Sequence, residues 1–308
     1  MTEKAVPGDE FIETVAPTVV ALLDLAVAYH EVINGHGLVP AAESPAMSDL
    51  AAEDRFCRNG WQEPVGTAHS LAGLLCFAGV DHVTSYAKLF ASPSPPIPVY
   101  SHFAVARAAL EALGWGRWVA DTTVDVDERV KRGVLLRLDG ALNRKRLPIS
   151  ELKVLGNEII QRFRDGLPTG WSDIICNTRQ VRCGGAELPR PRIVIAEVLR
   201  SGRGPTPDDL GGTLWGMLSG VAHSGEYALM LSAELVDDMP ELAAAPAANL
   251  FTSARTVHLI GATLLRAAIE GCTMRFRLYG WSSDGAWEAA VEKAERHIHV
   301  VLSSVSTL

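Results

Sequence analysis

Two segments of the chain carry the same pair of opposite charges inside apolar sequence. They are Arg107-Ala-Ala-Leu-Glu111 and Arg266-Ala-Ala-Ile-Glu270. Residues four apart lie on one face of an α-helix, so each Arg can reach its Glu. A helix that is apolar on all sides is normally buried, and a buried charge is costly unless it is paired. We therefore expect both pairs to be at least partly buried.

Two interpretations of these pairs stay open. In the first, they are structural ion pairs that fix how two central helices pack. In the second, they line a polar cavity between the two helices, and that cavity binds a ligand. The candidate ligand-binding residues are then the two pairs and polar side chains of the same two helices and of the predicted helix over 206–223: His102, Arg107, Glu111, Ser219, His223, His258, Arg266 and Glu270.

Ser219 and His223 lie four residues apart, a spacing that brings a nucleophile and a base together on a helix. The sequence offers no identifiable acid to orient the histidine and no oxyanion site. His223 would also be favourable as a partly charged imidazole at the end of its helix. The catalytic residues therefore stay unknown, and the sequence does not decide whether the protein is an enzyme.

The same segment repeats glycine every fourth residue, at Gly212, Gly216 and Gly220. A glycine inside a helix costs about 1 kcal/mol relative to alanine. Such a stripe predicts that another helix, or a ligand, approaches the backbone closely.

Metal and cofactor motifs are absent from the sequence. It contains no HExxH, no CxxC pair among its five cysteines, no P-loop and no GxGxxG, and these motifs set ligands or glycines at fixed spacings. The acidic run from Asp121 to Glu128 is interpreted as a helix start, where acidic side chains are favourable. We expect no metal and no cofactor, and the cysteines are expected to be small buried residues of a reducing compartment.

Charge is distributed unevenly along the 308 residues. The net charge is −8, yet residues 129–203 hold 16 Lys or Arg and 7 Asp or Glu. This region predicts a basic surface for a nucleotide or RNA, a patch for self-association, or simply a set of solvated helices. The acidic N-terminus does not resemble a secretory signal, and charges interrupt every apolar stretch before a membrane span is reached. We therefore expect a cytoplasmic protein that does not enter a membrane.

Apolar residues recur at helical spacing along most of the chain. They predict an all-α multi-helix bundle of about eight to ten helices, with no strand pairing and an irregular stretch over 166–192. We expect an N-terminal helical region over 1–95 and a helical bundle over 96–308, or one continuous domain. The predicted helices span 11–33, 67–90, 98–121, 125–143, 150–164, 206–223, 225–237, 249–278 and 284–302, with a further short helix over 47–56. Residues 192–199 fit either a strand or a helix, and we favour a helix because no strand partner is evident nearby.

Two of these helices carry a family resemblance. Arg107 and Glu111 in a long apolar helix, with the later Leu214-Trp-Gly-Met-Leu-Ser-Gly-Val-Ala-His223, resemble uncharacterised bacterial helical proteins that are similar to the HEPN superfamily. The resemblance covers residues 98–275. It implies a helical bundle that dimerises and binds nucleotide or RNA. Catalytic members carry an Arg, four to six further residues and then a His, a spacing that none of the nine histidines here has, so RNA cleavage is not implied.

The leading hypothesis is thus an uncharacterised, HEPN-like and non-catalytic protein, a homodimer that binds a ligand or partner between the two Arg–Glu helices. The alternative is a helical enzyme that acts on a small molecule or nucleic acid at the same place. The two differ in geometry: an enzyme needs the polar residues to converge on a pocket that solvent can reach.

Overall fold

The computed structural model describes residues 8–58, 61, 63–91, 100–171, 173–177, 180–201, 210–222, 254–282 and 285–305. Within these ranges the chain forms ten α-helices and one small sheet, which confirms the predicted all-α class and helix number. The helices are α1 (Gly8–His36), α2 (Pro45–Leu50), α3 (Pro64–Phe90), α4 (Ser101–Ala120), α5 (Val126–Arg146), α6 (Ser150–Gly166), α7 (Pro191–Ser201), α8 (Leu210–Ala222), α9 (Ala254–Tyr279) and α10 (Ala286–Val305).

Local signals set several of the helix ends. Pro64 stands in the first turn of α3, where its missing N–H is no loss. Asp125 caps α5 by accepting a hydrogen bond from the backbone N–H of Glu128 at 2.8 Å, as its position before an acidic first turn predicts. Ser150 is not the cap of α6, because it lies inside the helix and its hydroxyl contacts Glu151 instead. The predicted helix start near 206 and the helix over 225–237 fall outside the described residues.

A short antiparallel sheet lies within residues 166–192, the stretch that was predicted to be irregular. Its strands are β1 (Ile175–Cys176), β2 (Val181–Cys183) and β3 (Ala186–Glu187), in the order β1-β2-β3. Gly184 and Gly185, at φ +57° and +77°, form the two-residue turn between β2 and β3. Paired glycines with positive φ are typical of hairpin turns. The expectation of no strand pairing was therefore wrong here, and the Gly-Gly pair was the missed signal.

Close helix packing at the centre depends on two glycines around one leucine. Leu113 of α4 lies between Gly79 of α3 and Gly271 of α9. A Cβ at Gly79 would come within 2.7 Å of Leu113 Cδ2, and one at Gly271 within 3.1 Å of the Leu113 carbonyl oxygen. The three helices can approach this closely only because neither glycine carries a side chain. Helices α3, α4 and α9 form the middle of the larger of two hydrophobic cores, called the main core below.

Helices α1 and α10 cover one side of this centre. Among the described helices, α1 is the one that is long and apolar enough to cross a membrane, over Phe11–His36. Val15, Leu22 and Tyr29 on this helix are nonetheless fully buried against the protein. Packing in the main core therefore accounts for part of the apolar composition of α1.

A second, smaller core lies under α5, α6 and the sheet. It contains buried side chains from these elements and from the segment before α3: Phe56, Trp61, Val65, Val130, Val134, Leu135, Leu138, Ala141, Leu142, Ile160, Phe163, Leu167, Trp171, Val181 and Cys183. Helices on both sides of residue 95 contribute to the main core, and Trp118 of α4 packs against both cores.

Replacing Gly79 with alanine should destabilise the protein, because the new methyl group overlaps Leu113 between two packed helices. We expect a loss of about 1–3 kcal/mol in the free energy of unfolding. The matched control is Gly140→Ala in α5, where an added Cβ meets nothing within 4 Å and helix propensity predicts a gain of up to about 1 kcal/mol. Urea unfolding of both variants checks this, and equal effects would contradict the proposed packing.

Candidate functional site

The first predicted charge pair exists and faces α8. Arg107 Nε donates to Glu111 Oε1 at 2.9 Å, and both side chains are partly exposed. Trp215 of α8 donates its indole N–H to the same Glu111 oxygen at 3.3 Å, and the Arg107 guanidinium lies 5.7 Å from the Trp215 ring centre. The pair thus serves as a polar contact between α4 and α8.

The second pair faces a different neighbour. Arg266 is only 7% exposed. Burial lowers its pKa, while the charges of Glu270 and of Glu295 on α10 oppose that effect. Arg266 is therefore close to α10, whereas Arg107 and Glu111 contact α8. Within the described residues, the two pairs therefore have different neighbouring helices.

The remaining predicted residues are also spread over the fold. Ser219 is partly buried on α8, and His223 lies outside the described residues. His102 is fully buried with its ring near the rings of Phe90 and Phe103, at centre distances of 5.5 and 4.1 Å. An added Cβ at Gly216 meets nothing within 4 Å in the described part of the chain, so packing against the described helices does not require that glycine.

His258 belongs to a polar cluster that the sequence did not reveal. The buried hydroxyl oxygen of Thr18 lies 2.6 Å from His258 Nδ1 and 2.8 Å from His297 Nε2. These contacts connect α1, α9 and α10. Burial lowers the pKa of both histidines, the neighbouring charge of His258 lowers that of His297 further, and a backbone hydrogen bond with Thr14 partly offsets the effect at His258.

Asp49, His69 and Arg129 form a buried ionic network that joins α2, α3 and α5. Arg129 donates to both oxygens of Asp49, at 2.7 and 2.6 Å, and His69 Nε2 lies 3.0 Å from Asp49 Oδ2. Burial alone would raise the pKa of Asp49, but hydrogen bonds from His69 and Arg129 outweigh it and lower the pKa. Arg129 also donates to the backbone carbonyls of Asp121 and Val124. This network is structural, because its charges satisfy one another away from solvent.

A second buried cation is held by aromatic rings. Arg275 of α9 is 4% exposed and donates to the Tyr29 hydroxyl and, at 3.4 Å, to the Gly73 carbonyl. Its guanidinium carbon lies 5.1 Å from the Trp281 ring centre. Cation–π contacts of this kind stabilise a desolvated guanidinium. The adjoining gap, bounded by Tyr29 and Cys272 among others, is too small for a water molecule.

Six cations lie on α5 and α6, the two helices that cover the second core. They are Arg137, Arg144, Lys145 and Arg146 on α5, with Arg162 and Arg164 on α6, and they are called the α5–α6 cation cluster below. All but the half-buried Arg137 are exposed. In the described part of the chain, none of the six lies within 4 Å of a carboxylate in an ion pair. Two other cations of the basic region form structural ion pairs instead: Arg129 with Asp49, and Arg132 with Asp121.

The two helices are held close enough for the cations to influence one another. Gly156 of α6 packs on the Ala141 carbonyl of α5, because a Cβ at this glycine would come within 2.6 Å of that oxygen. The Arg137 guanidinium lies 5.2 Å from the Phe163 ring centre. Burial, followed by the positive charges of Arg162 and Arg144, lowers the pKa of Arg137. The cluster therefore contains unrelieved repulsion between guanidinium groups.

Two acidic residues, Asp139 and Asp165, lie on the same two helices as the cluster. Burial raises the pKa of Asp139, although the charge of Arg146 and a hydrogen bond from Asn143 oppose the rise. Asp165 accepts a hydrogen bond from Gln161 at 2.9 Å. Over the ranges that the structure describes, no group of three His, Cys, Asp or Glu side chains is placed to hold a metal ion. The cation cluster is thus the described surface best suited to bind a charged ligand.

Comparisons with protein-family models, with curated protein sequences and with solved structures give no significant match to this chain. The function is therefore argued from the geometry.

Removing the Asp49 carboxylate should destabilise the fold strongly, because Arg129 and His69 would keep their desolvated polar groups without the charge that holds them. For Asp49→Asn we expect a loss of about 3–5 kcal/mol in the free energy of unfolding. The control is Glu292→Gln, which breaks the exposed Arg296–Glu292 pair and should cost less than about 1 kcal/mol. Similar midpoints for the two variants in urea unfolding would refute a supporting role for the network.

Acid should weaken the fold through the two histidines that contact Thr18. Their folded-state pKa values are lowered, so their contribution is fully present above the unfolded-state pKa of about 6.5 and is lost as the pH falls below it. His297→Gln should flatten the decline of the unfolding free energy between about pH 7.5 and 5. His299→Gln, an exposed neighbour on the same helix, is the control and should keep the wild-type decline. An unchanged slope in His297→Gln would count against the interpretation.

Proposed function

We propose that this protein is a non-catalytic RNA-binding protein that holds the phosphate backbone with the α5–α6 cation cluster. One observation supports the proposal above the others. Six cations lie together on two packed helices, five of them exposed, without an ion-pair carboxylate in the described part of the chain. Phosphate oxygens would supply the negative charge that the cluster lacks.

The chemistry of the cluster suits phosphate. Five of its six members are arginines, whose planar guanidinium groups can bind a phosphate through two hydrogen bonds. The chain as a whole carries a net charge of −8, so most of the remaining surface repels a polyanion. An anionic ligand would therefore be steered to the α5–α6 cation cluster.

The proposal agrees with what the HEPN resemblance implies, namely nucleotide or RNA binding without the cleavage motif. On the same resemblance we propose a homodimer, and on the acidic N-terminus and the charges within the apolar stretches we propose that it acts in the cytoplasm. An enzyme that uses the two Arg–Glu pairs has less support, because Glu111 contacts α8 while Arg266 is influenced by Glu295 on α10.

Neutralising exposed members of the cluster should weaken RNA binding and its salt dependence together. The test variant is Arg144→Gln/Lys145→Gln/Arg146→Gln, measured by fluorescence anisotropy with a labelled RNA hairpin. Each lost phosphate contact should reduce the slope of log K against log salt by about 0.9, so a drop of about 2–3 is expected. The measurement covers about 50 to 200 mM salt.

A matched variant tests whether RNA binding depends on this site or only on the net charge of the protein. Lys88→Gln/Arg277→Gln/Arg296→Gln removes the same three charges from exposed positions elsewhere and should bind RNA like the wild type. If the two triple variants bind equally, or if the wild-type protein does not bind the hairpin even at about 50 mM salt, the proposed function is wrong.

A further inference from the structure

We infer that the ligand of the α5–α6 cation cluster is the backbone of a double-stranded RNA, bound irrespective of its sequence, rather than an unpaired strand. This inference rests on the proposed function and adds the class of RNA. Three features of the site support the inference. Its aromatic rings are buried, its cations match the phosphate density of a duplex, and its two helices are packed tightly against each other.

The described residues of α5, α6 and the sheet offer no exposed ring on which an unpaired base could stack. From residue 137 to residue 183 the chain contains only two aromatic residues, Phe163 and Trp171, and both are buried. The Arg137 guanidinium lies 5.2 Å from the first ring centre and Lys131 Nζ lies 5.1 Å from the second. Binding of single strands depends on exposed aromatic side chains that stack with successive bases. This surface lacks that means of binding.

Amide groups that could read base edges are partly engaged within the protein. Asn143 donates to Asp139 Oδ2 at 3.0 Å and accepts from Arg146 at 3.3 Å. Gln161 donates to Asp165 at 2.9 Å. The groups left to contact RNA are mainly guanidinium and ammonium groups, which bind phosphates without regard to sequence.

The spacing of the cations suits the charge density of a duplex. Arg137 and Arg146 are separated by nine residues of α5, or roughly 13 Å along the helix axis. Over that length a duplex presents roughly eight phosphates and a single strand roughly four. More counterions are therefore released when the same cations meet a duplex, which favours the double-stranded ligand.

Helices α5 and α6 are packed tightly together, which suits a stiff ligand. Leu138 and Ala141 of α5 and Ile160 and Phe163 of α6 are buried in the second core, and Gly156 brings the two backbones into contact. A preformed surface loses little conformational freedom when it binds a stiff duplex, whereas a flexible strand must be ordered on binding.

The test compares four labelled probes by fluorescence anisotropy with the full chain. They are an RNA duplex of about 20 base pairs, a second duplex of unrelated sequence, and one unstructured strand from each. The wild-type protein should bind both duplexes within about threefold of each other and at least about tenfold more tightly than either strand. Equal or tighter binding of the strands, or a strong preference for one duplex sequence, would overturn the inference while leaving RNA binding intact.

A variant pair ties the preference to the site. Arg162→Gln/Arg164→Gln should weaken duplex binding by about fivefold or more and bring it closer to strand binding. Lys88→Gln/Arg277→Gln removes two exposed charges elsewhere and should keep the duplex preference. If all four probes fail to bind the wild type, the proposed function fails as well, so the two failures are distinguishable. If the control pair loses the preference as fully as the test pair, the inference is overturned.

Discussion

A buried ion pair between Asp49 and Arg129 connects the two hydrophobic cores of the protein. Asp49 belongs to α2, whose Ala46 is part of the main core, and Arg129 belongs to the first turn of α5, which lies over the second core. A desolvated Asp or Arg is tolerated only when its partner is in place. The pair therefore favours the one arrangement of α2, α3 and α5 in which Asp49 also reaches His69.

This constraint determines which cations remain for a ligand. Arg129 closes the network with Asp49 and the carbonyls of the preceding loop, and Arg132 pairs with Asp121 and Glu128. Both lie in the N-terminal part of α5, so that part of the helix is anchored. Arg144, Lys145 and Arg146 lie at the other end, beyond the reach of these carboxylates, and the positive charges of Arg144 and of Arg162 on α6 both act on Arg137. Helix α5 thus carries structural charges near its N-terminus and, at its C-terminus, charges that we propose bind RNA.

Sequence reasoning succeeded where a property is local. Repeated apolar spacing predicted the helices, and Asp125 was recognised as a helix start because acids suit that position. The prediction failed around Gly184-Gly185. The two glycines are a turn signal, but the strands beside them are only two or three residues long, too short to show an alternation of apolar residues. The spacing of Arg107 and Glu111 correctly indicated an intrahelical pair, but it could not indicate that Trp215 on another helix would share the same oxygen.

The sequence by itself determined the helical class and the excess of basic residues over 129–203, because periodicity and composition need no knowledge of distant partners. Only the tertiary structure decided what each of those charges does. Arg129 and Arg144 are both basic residues of α5, yet one is buried against a carboxylate 80 positions earlier and the other is exposed. Long side chains find their partners through space rather than along the chain. For that reason the charges that we propose to bind a ligand, on α5 and α6, are not the two Arg–Glu pairs that the sequence indicated.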